Sequence, residues 1–435
     1  MYHSIMRRGV QQQLKKTGSA DLVIGLPSYK NSANAARVAR QALAGARRYY
    51  PHLRTVLINA DAGHRKTTRQ AVLAEGLQNG HNHTVLAGRY TGPLGAGNAT
   101  SALLDAALAL DAQAIIILDS NTTTITPNWI AALASLVLDR KADLVMPRYH
   151  WAMPDGALSD LIAYPLARAL WGQTVRHPAA PDFALSPRLA VALLDADIWQ
   201  TEAAAYGLPP WLTTHAILNR WPVAQTALGQ KLVSPGPEYA AENHRHPFFS
   251  DYFHSVVTVL FRQLAQYRAH WDDVDRFGML STLTQFAGEP VPRPVSLQNV
   301  DALWDSLALG WVEHRRFWQD ILVEENLLQL ESLVALSVDN LYFPADLWAR
   351  IVFDFAVVFN KGESDPYQIV QSLWPLYLGR VAAFSHEIDG LALVGWEGTV
   401  AAQAAEFEAA RPYLKIRWHT YPPWLDYGEP RNMLF

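Results

Sequence analysis

Ala114-Ile-Ile-Ile-Leu-Asp119-Ser120-Asn121-Thr-Thr-Thr-Ile-Thr-Pro127 is the stretch on which the reading of the fold turns. It opens with five apolar residues, four of them in an unbroken Ile/Leu run. Such a run reads as a short strand buried on both faces, as in a parallel sheet covered by helices. The strand carries Asp119 to its carboxyl end, and ligands of open α/β sheets bind in the crevice outside those ends. Asp119 is thus placed for chemistry. The alternative is that it only starts a turn before the helix opened by Pro127, with Ser120 and Asn121 as turn residues.

Working outward, the same alternation repeats. Asp21-Leu-Val-Ile-Gly-Leu-Pro27 reads as a first buried strand, followed by helical spacing over Asn34 to Arg48. Thr55-Val-Leu-Ile-Asn59-Ala60-Asp61 is a second strand, with a turn at Gly63 and a helix from about Thr68 to Asn79. Thr84-Val-Leu-Ala is a third, leading into the turn Gly92-Pro-Leu-Gly95-Ala-Gly97 and a helix from Ala99 to Leu110. Ala142-Asp-Leu-Val-Met-Pro147 follows the central strand one helix later. Strands alternating with helices imply a mostly parallel sheet.

Two turns carry candidate chemistry. Asp61 ends the second strand as Asp119 ends the fourth. The glycine turn precedes a helix N-terminus, where free backbone N–H groups favour an anion. It has neither a Walker lysine nor the spacing of a dinucleotide fingerprint. Gly92, Gly95 and Gly97 can equally do no more than permit a tight turn.

From Asp251 onward the pattern changes to apolar residues three and four apart. Phe253 to Trp271, Leu297 to Leu333, Ala345 to Phe359, Tyr367 to Glu387 and Thr399 to Tyr413 read as helices. The expected division is an α/β domain over residues 1–235 and a mainly helical domain over 236–435, with the connector at Ser234-Pro-Gly-Pro-Glu-Tyr. At 435 residues, half of them hydrophobic, the chain is long enough for two packed units. Its net charge of −4 speaks against a nucleic-acid partner. It has no cysteine, which excludes disulfides, thiolate nucleophiles and thiolate metal sites. Met1 to Lys16 lacks the apolar core of a signal peptide, and no run reaches the roughly 18 apolar residues of a membrane span, so a cytoplasmic location is expected.

Further motifs carry a resemblance: Leu26-Pro27-Ser28-Tyr29, Asn59-Ala60-Asp61, Asp119-Ser120-Asn121, Asp155-Gly156 through Tyr164-Pro165-Leu-Ala-Arg168 to Gly172, and Asp182-Phe-Ala-Leu-Ser186. Tyr206-Gly207, Trp211-Leu-Thr-Thr and, in the helical half, Phe343-Pro-Ala-Asp-Leu-Trp and Pro375-Leu-Tyr-Leu-Gly-Arg380 extend it over most of the chain. The sequence resembles the GT-A glycosyltransferases, Rossmann-like transferases of nucleotide-diphospho-sugars, and within them the branch of bacterial mannosylglycerate and glucosyl-3-phosphoglycerate synthases. The resemblance implies a donor site in which Pro27, Tyr29 and Asp61 hold the nucleoside. Gly95 and Gly97 lie at the phosphates. A Mg or Mn ion on Asp119, Asn121 and a later histidine steadies the leaving diphosphate. Ser120 lies within the same metal motif, and Asp182 contacts donor sugar or acceptor.

The sequence departs from that pattern where ligands are expected. Lys30-Asn31 stands for Asn-Glu, Ala96 for the lysine of the glycine turn, and Asn121 for the second aspartate. Ala180-Pro181 stands for Gly-Gly, and Leu208-Pro209 for Ile-Asp. An amide oxygen can ligate a hard cation but brings no charge. The metal histidine aligns with Val233; His244 or His246 can substitute if the connector is longer, or be surface residues. Arg148, Arg168 and Arg176 are cations that can bind an acidic acceptor or simply pair at the surface.

Two functions follow. One is transfer of a hexose from a nucleoside diphosphate sugar to a small acidic acceptor of glycerate or phosphoglycerate type, with Asp119 and Asp182 as catalytic residues. The other is a degenerate relative that binds a nucleotide, sugar or protein partner without transfer. A metal-independent transferase lies between them. The Trp- and Leu-rich helical half suits a homodimer interface as well as a cover for the site.

Overall fold

A computed structural model describes residues 3–76, 82–151, 156–172, 174–234, 247–272, 300–336 and 341–421. The strands are β1 (Leu22–Ser28), β2 (Thr55–Asp61), β3 (His83–Gly88), β4 (Ala114–Ile117), β5 (Leu144–Trp151), β6 (Phe183–Leu185) and β7 (Val223–Lys231). They form one sheet in the order β3-β2-β1-β4-β6-β5-β7. The expected α/β class with a mostly parallel sheet and a helical C-terminal region is the one observed. The β1/β2, β2/β3, β1/β4 and β5/β7 pairs are parallel, whereas β6 runs against both β4 and β5.

The helices of this part are α1 (Arg8–Thr17), α2 (Ser32–Tyr49), α3 (Thr67–Gly76), α4 (Ala96–Leu108), α5 (Asn128–Leu138), α6 (Tyr164–Trp171), α7 (Pro187–Leu194) and α8 (Leu208–Leu218). The unbroken apolar runs of β1 and β4 are buried throughout because helices cover both faces of the sheet. Pro127 caps α5, consistent with a residue that lacks an N–H and has its φ preset for a helix start.

Chain reversals in a mixed sheet create a switch point, and here it falls between β1 and β4, whose onward connections leave to opposite sides. A bulge lies opposite the Arg148/Tyr149 step of β5, where β7 takes up one extra residue at Leu228-Gly229. Gly229 has φ 74°, a conformation glycine adopts without steric cost. Beyond the bulge Trp151 pairs with Lys231. A one-residue slip exchanges the two faces of a strand, so the bulge puts Lys231 on the face of Tyr149 and Trp151.

The chain divides into two compact units. One holds Met1–Ser159 and Thr174–Val259; the other holds Asp160–Gln173 and the helical region from Leu260 onward, among the described residues. The expected boundary at residues 235 and 236 lies outside the described residues. The helical region contains Val300–Ile321, Glu324–Val334, Ala345–Lys361, Pro366–Glu387, Leu393–Ala409 and Arg411–Thr420. Its core is aromatic, with Trp318, Trp348, Phe353 and Phe355 fully buried. Buried Asp354 accepts hydrogen bonds from the Val323 backbone, Asn326 Nδ2, Tyr413 and Arg417. No helix among the described residues is long and apolar enough to cross a membrane.

Candidate functional site

A cavity of about 240 Å³ opens in the first unit at the carboxyl ends of β1 and β4. Pro27, Ser28 and Tyr29 come from the end of β1, and Ile117, Leu118, Asp119, Ser120 and Asn121 from the end of β4. The remaining wall is largely aromatic and aliphatic, including Tyr90, Leu94, Trp151, Phe183, Tyr206 and Tyr252. Among the described residues lining it there is no lysine, arginine or histidine.

Beneath Asp119 lies a charged cluster built by the sheet order. Antiparallel pairing of β4 with β6 sets Ile117 opposite Phe183 and so brings Asp119 beside Asp182. The backbone N–H of Asp119 donates to Asp182 Oδ1 at 2.7 Å. Tyr149 Oη and Lys231 Nζ both donate to Asp182 Oδ2. Lys231 Nζ also lies 3.1 Å from Asp119 Oδ2, while Asp119 Oδ1 accepts from the Asn121 N–H at 2.9 Å. The Lys231 side chain is 0% exposed and that of Asp119 is 16% exposed. The ammonium faces the rings of Tyr149 and Trp151 at 5.0 and 5.4 Å. Burial pushes the Lys231 pKa down, but Asp182 and Asp119 outweigh it and raise it, so the ammonium stays charged. Burial, together with Asp182 and Asp119, holds the Tyr149 phenol protonated far above its ordinary range. Lys231 was not a candidate from the sequence. Its one local signal was a lysine ending a strand whose alternation is broken at a glycine.

The loop after β4 is clamped from β1's side. Asn31, standing where the resemblance puts a carboxylate, donates to Ser120 Oγ at 2.7 Å and Asn121 Oδ1 at 3.0 Å. The Asn121 amide oxygen is therefore already an acceptor. These contacts decide how a divalent cation fits. Asp119 and Asp182 each have both oxygens engaged, Asn121 is held by Asn31, and an ammonium stands between the carboxylates. No group of three His, Asp or Glu side chains among the described residues could hold a metal ion. This donor set does not fit Mg or Mn. His244, the expected third ligand, lies outside the described residues, as do His246 and Asp155.

The other expected residues divide between the cavity and the protein's own interior. Asp61 is fully buried, forms an ion pair with Arg69 Nε at 3.0 Å and accepts from the Gly63 N–H at 3.0 Å; it is not part of the cavity wall. Burial pushes its pKa up. Gly95 and Gly97 do line the cavity, yet their amides are already used. Gly95 N donates to Tyr90 Oη at 3.2 Å and Gly97 N to the Ala205 carbonyl at 2.8 Å. A Cβ on Gly97 would lie 2.0 Å from the Ala203 carbonyl oxygen, so close packing explains that glycine. Arg148 is exposed on β5 and Arg176 is buried, with its backbone N–H on Gln225 Oε1; neither lines the cavity. Arg168 belongs to the second unit and pairs with Glu408 at 2.6 Å.

No protein-family model matches the chain. No curated protein matches it either. Solved structures similar to it include glucosyl-3-phosphoglycerate synthases, of the GT-A family. They include glucosyl-3-phosphoglycerate synthase from Mycobacterium tuberculosis in complex with Mn2+, UDP and glucosyl-3-phosphoglycerate, at 18% identity and a TM-score of 0.41, covering 61% of this chain and 86% of that one. The same synthase in a further crystal structure matches at 18% identity and a TM-score of 0.40, covering 66% and 93%. Identities and TM-scores this low transfer no ligand, metal or activity to this chain.

Proposed function

We propose that the chain is a GT-A-type glycosyltransferase of the cytoplasm that holds a nucleoside diphosphate hexose in the β1/β4 cavity and passes the hexose to a small acidic acceptor of glycerate or phosphoglycerate type. The observation that carries this is Asp119, held by Lys231 at 3.1 Å and partly exposed in a cavity whose wall is largely aromatic and aliphatic. Aromatic surfaces cover the apolar faces of a base or sugar ring, and a fixed carboxylate accepts hydrogen bonds from sugar hydroxyls. In this reading Pro27, Tyr29 and Ser120 contact the donor, Asp119 receives the sugar, and Asp182 positions Asp119. Homodimer formation, the remaining expectation, is read from the mass of the purified protein by light scattering.

A second reading, binding without transfer, is favoured by a different observation. The described wall offers no basic side chain to a departing diphosphate, and Asp61 and the amides of the glycine turn are spent on the protein itself. Calorimetric titration with UDP and GDP, with and without manganese, followed by transfer assays on the hexose donors, separates the two. Nucleotide binding with product formation that Asp119→Ala abolishes supports the transferase. Binding with no product for any donor and acceptor supports the binder. No binding of either nucleotide refutes the donor-site reading in both forms.

A further inference from the structure

Two carboxylates converge at the floor of the cavity, and a cation already stands between them. Lys231 Nζ bridges Asp119 Oδ2 and Asp182 Oδ2, and every carboxylate oxygen of the pair has a protein donor or the ammonium against it. A buried lysine is held charged only by such partners. It reaches this place through the bulge at Leu228-Gly229, without which its side chain would leave from the opposite face of β7.

We propose that Lys231 is a built-in counter-cation that takes the place of a divalent ion at this site, holding Asp119 oriented toward the cavity so that ligand binding is independent of metal. Lys231 does not line the cavity and acts through Asp119, which makes it a positioning residue. Of the two carboxylates only Asp119 lines the cavity, where its oxygens can accept hydrogen bonds from a hydroxyl-rich part of a ligand such as a sugar ring.

The inference rests on the proposed ligand site only for what the cluster serves, and its test uses manganese alone. Free Mn2+ is followed by electron paramagnetic resonance while wild type, Asp119→Asn and Lys231→Ala are titrated. Wild type is expected to take up no manganese that Asp119→Asn fails to take up. Lys231→Ala, with two carboxylates around an ammonium-sized gap, is expected to bind one ion per chain at least tenfold more tightly than wild type. Ethylammonium should displace that ion and raise the variant's Tm, which a merely structural lysine would not produce. One manganese per wild-type chain, lost in Asp119→Asn, overturns the proposal. So does a folded Lys231→Ala that gains neither manganese nor amine rescue. If Lys231→Ala does not fold, the wild-type titration against Asp119→Asn decides by itself. No nucleotide enters this experiment, so its failure leaves the ligand reading standing, and failure of the UDP and GDP titrations leaves the metal result standing.

Discussion

Gly97→Ala separates two roles for the glycine turn, anion cradle or packing joint. The backbone of Gly97 is helical at the start of α4 and has no positive φ, so alanine is tolerated by conformation. The obstacle is space. The new methyl would sit 2.0 Å from the Ala203 carbonyl oxygen and 2.9 Å from two backbone atoms of Ala204, where ordinary contact begins at 3.4 Å. No side chain can swing away, because all three neighbours are backbone. The segment through Ala205 must retreat, stretching the 2.8 Å bond from Gly97 N to the Ala205 carbonyl. Overpacking of a tight core costs about 1–3 kcal/mol, and a lost hydrogen bond adds about 1 kcal/mol. A destabilisation of about 2–4 kcal/mol is therefore expected in urea titration followed by circular dichroism. Because the same segment leads into Tyr206 and Leu208 of the cavity wall, ligand affinity should fall with stability. A variant within 0.5 kcal/mol of wild type (well below the cost of overpacking) that nonetheless loses nucleotide diphosphate binding would refute this reasoning and restore the turn as an anion site.

Three further outcomes are expected. Tyr149→Phe removes a buried donor from Asp182 and should cost about 1–3 kcal/mol in chemical denaturation; no measurable loss would show that Lys231 alone satisfies that carboxylate. Asp354→Ala in the helical unit strips the partner of Arg417 and three further donors and should cost about 3–5 kcal/mol, whereas a loss under 1 kcal/mol would contradict the network. His215 stacks on Trp211 with ring centroids 4.4 Å apart, and burial holds its pKa below the ordinary 6.5. A histidine whose pKa falls on folding takes its proton more readily when unfolded, so its contribution to stability is lost as pH drops through that ordinary value. His215→Phe keeps the stack and removes the titration. The Tm of the variant should gain on wild type as pH is lowered from about 7.5 to 5.5, and parallel Tm profiles would count against it.

The sequence alone determined the elements whose cause is local. The Ile run of β4 and the Leu-Val-Ile of β1 are apolar on both faces, which only a covered sheet satisfies. Three-and-four spacing marked the helices from Ala345 to Glu387, and Pro127 marked the start of α5. The strand-end position of Asp119 was legible for the same reason, since strand and turn adjoin in the chain. Short β6 carried no usable periodicity in three residues, and only its antiparallel pairing with β4 brings Asp182 beneath Asp119. The tertiary structure likewise decided which groups remain available to a ligand. Asp61 reads as an outward carboxylate in the chain but pairs with Arg69, and the amides of Gly95 and Gly97 are taken by Tyr90 Oη and the Ala205 carbonyl. Lys231 is the clearest case. Its chain position is unremarkable, and its role arises because a bulge reverses strand parity and pairing between distant strands places one ammonium between two carboxylates. Periodicity encodes which face of an element is buried; what stands opposite a given side chain is set by strand order and register, which no local pattern carries.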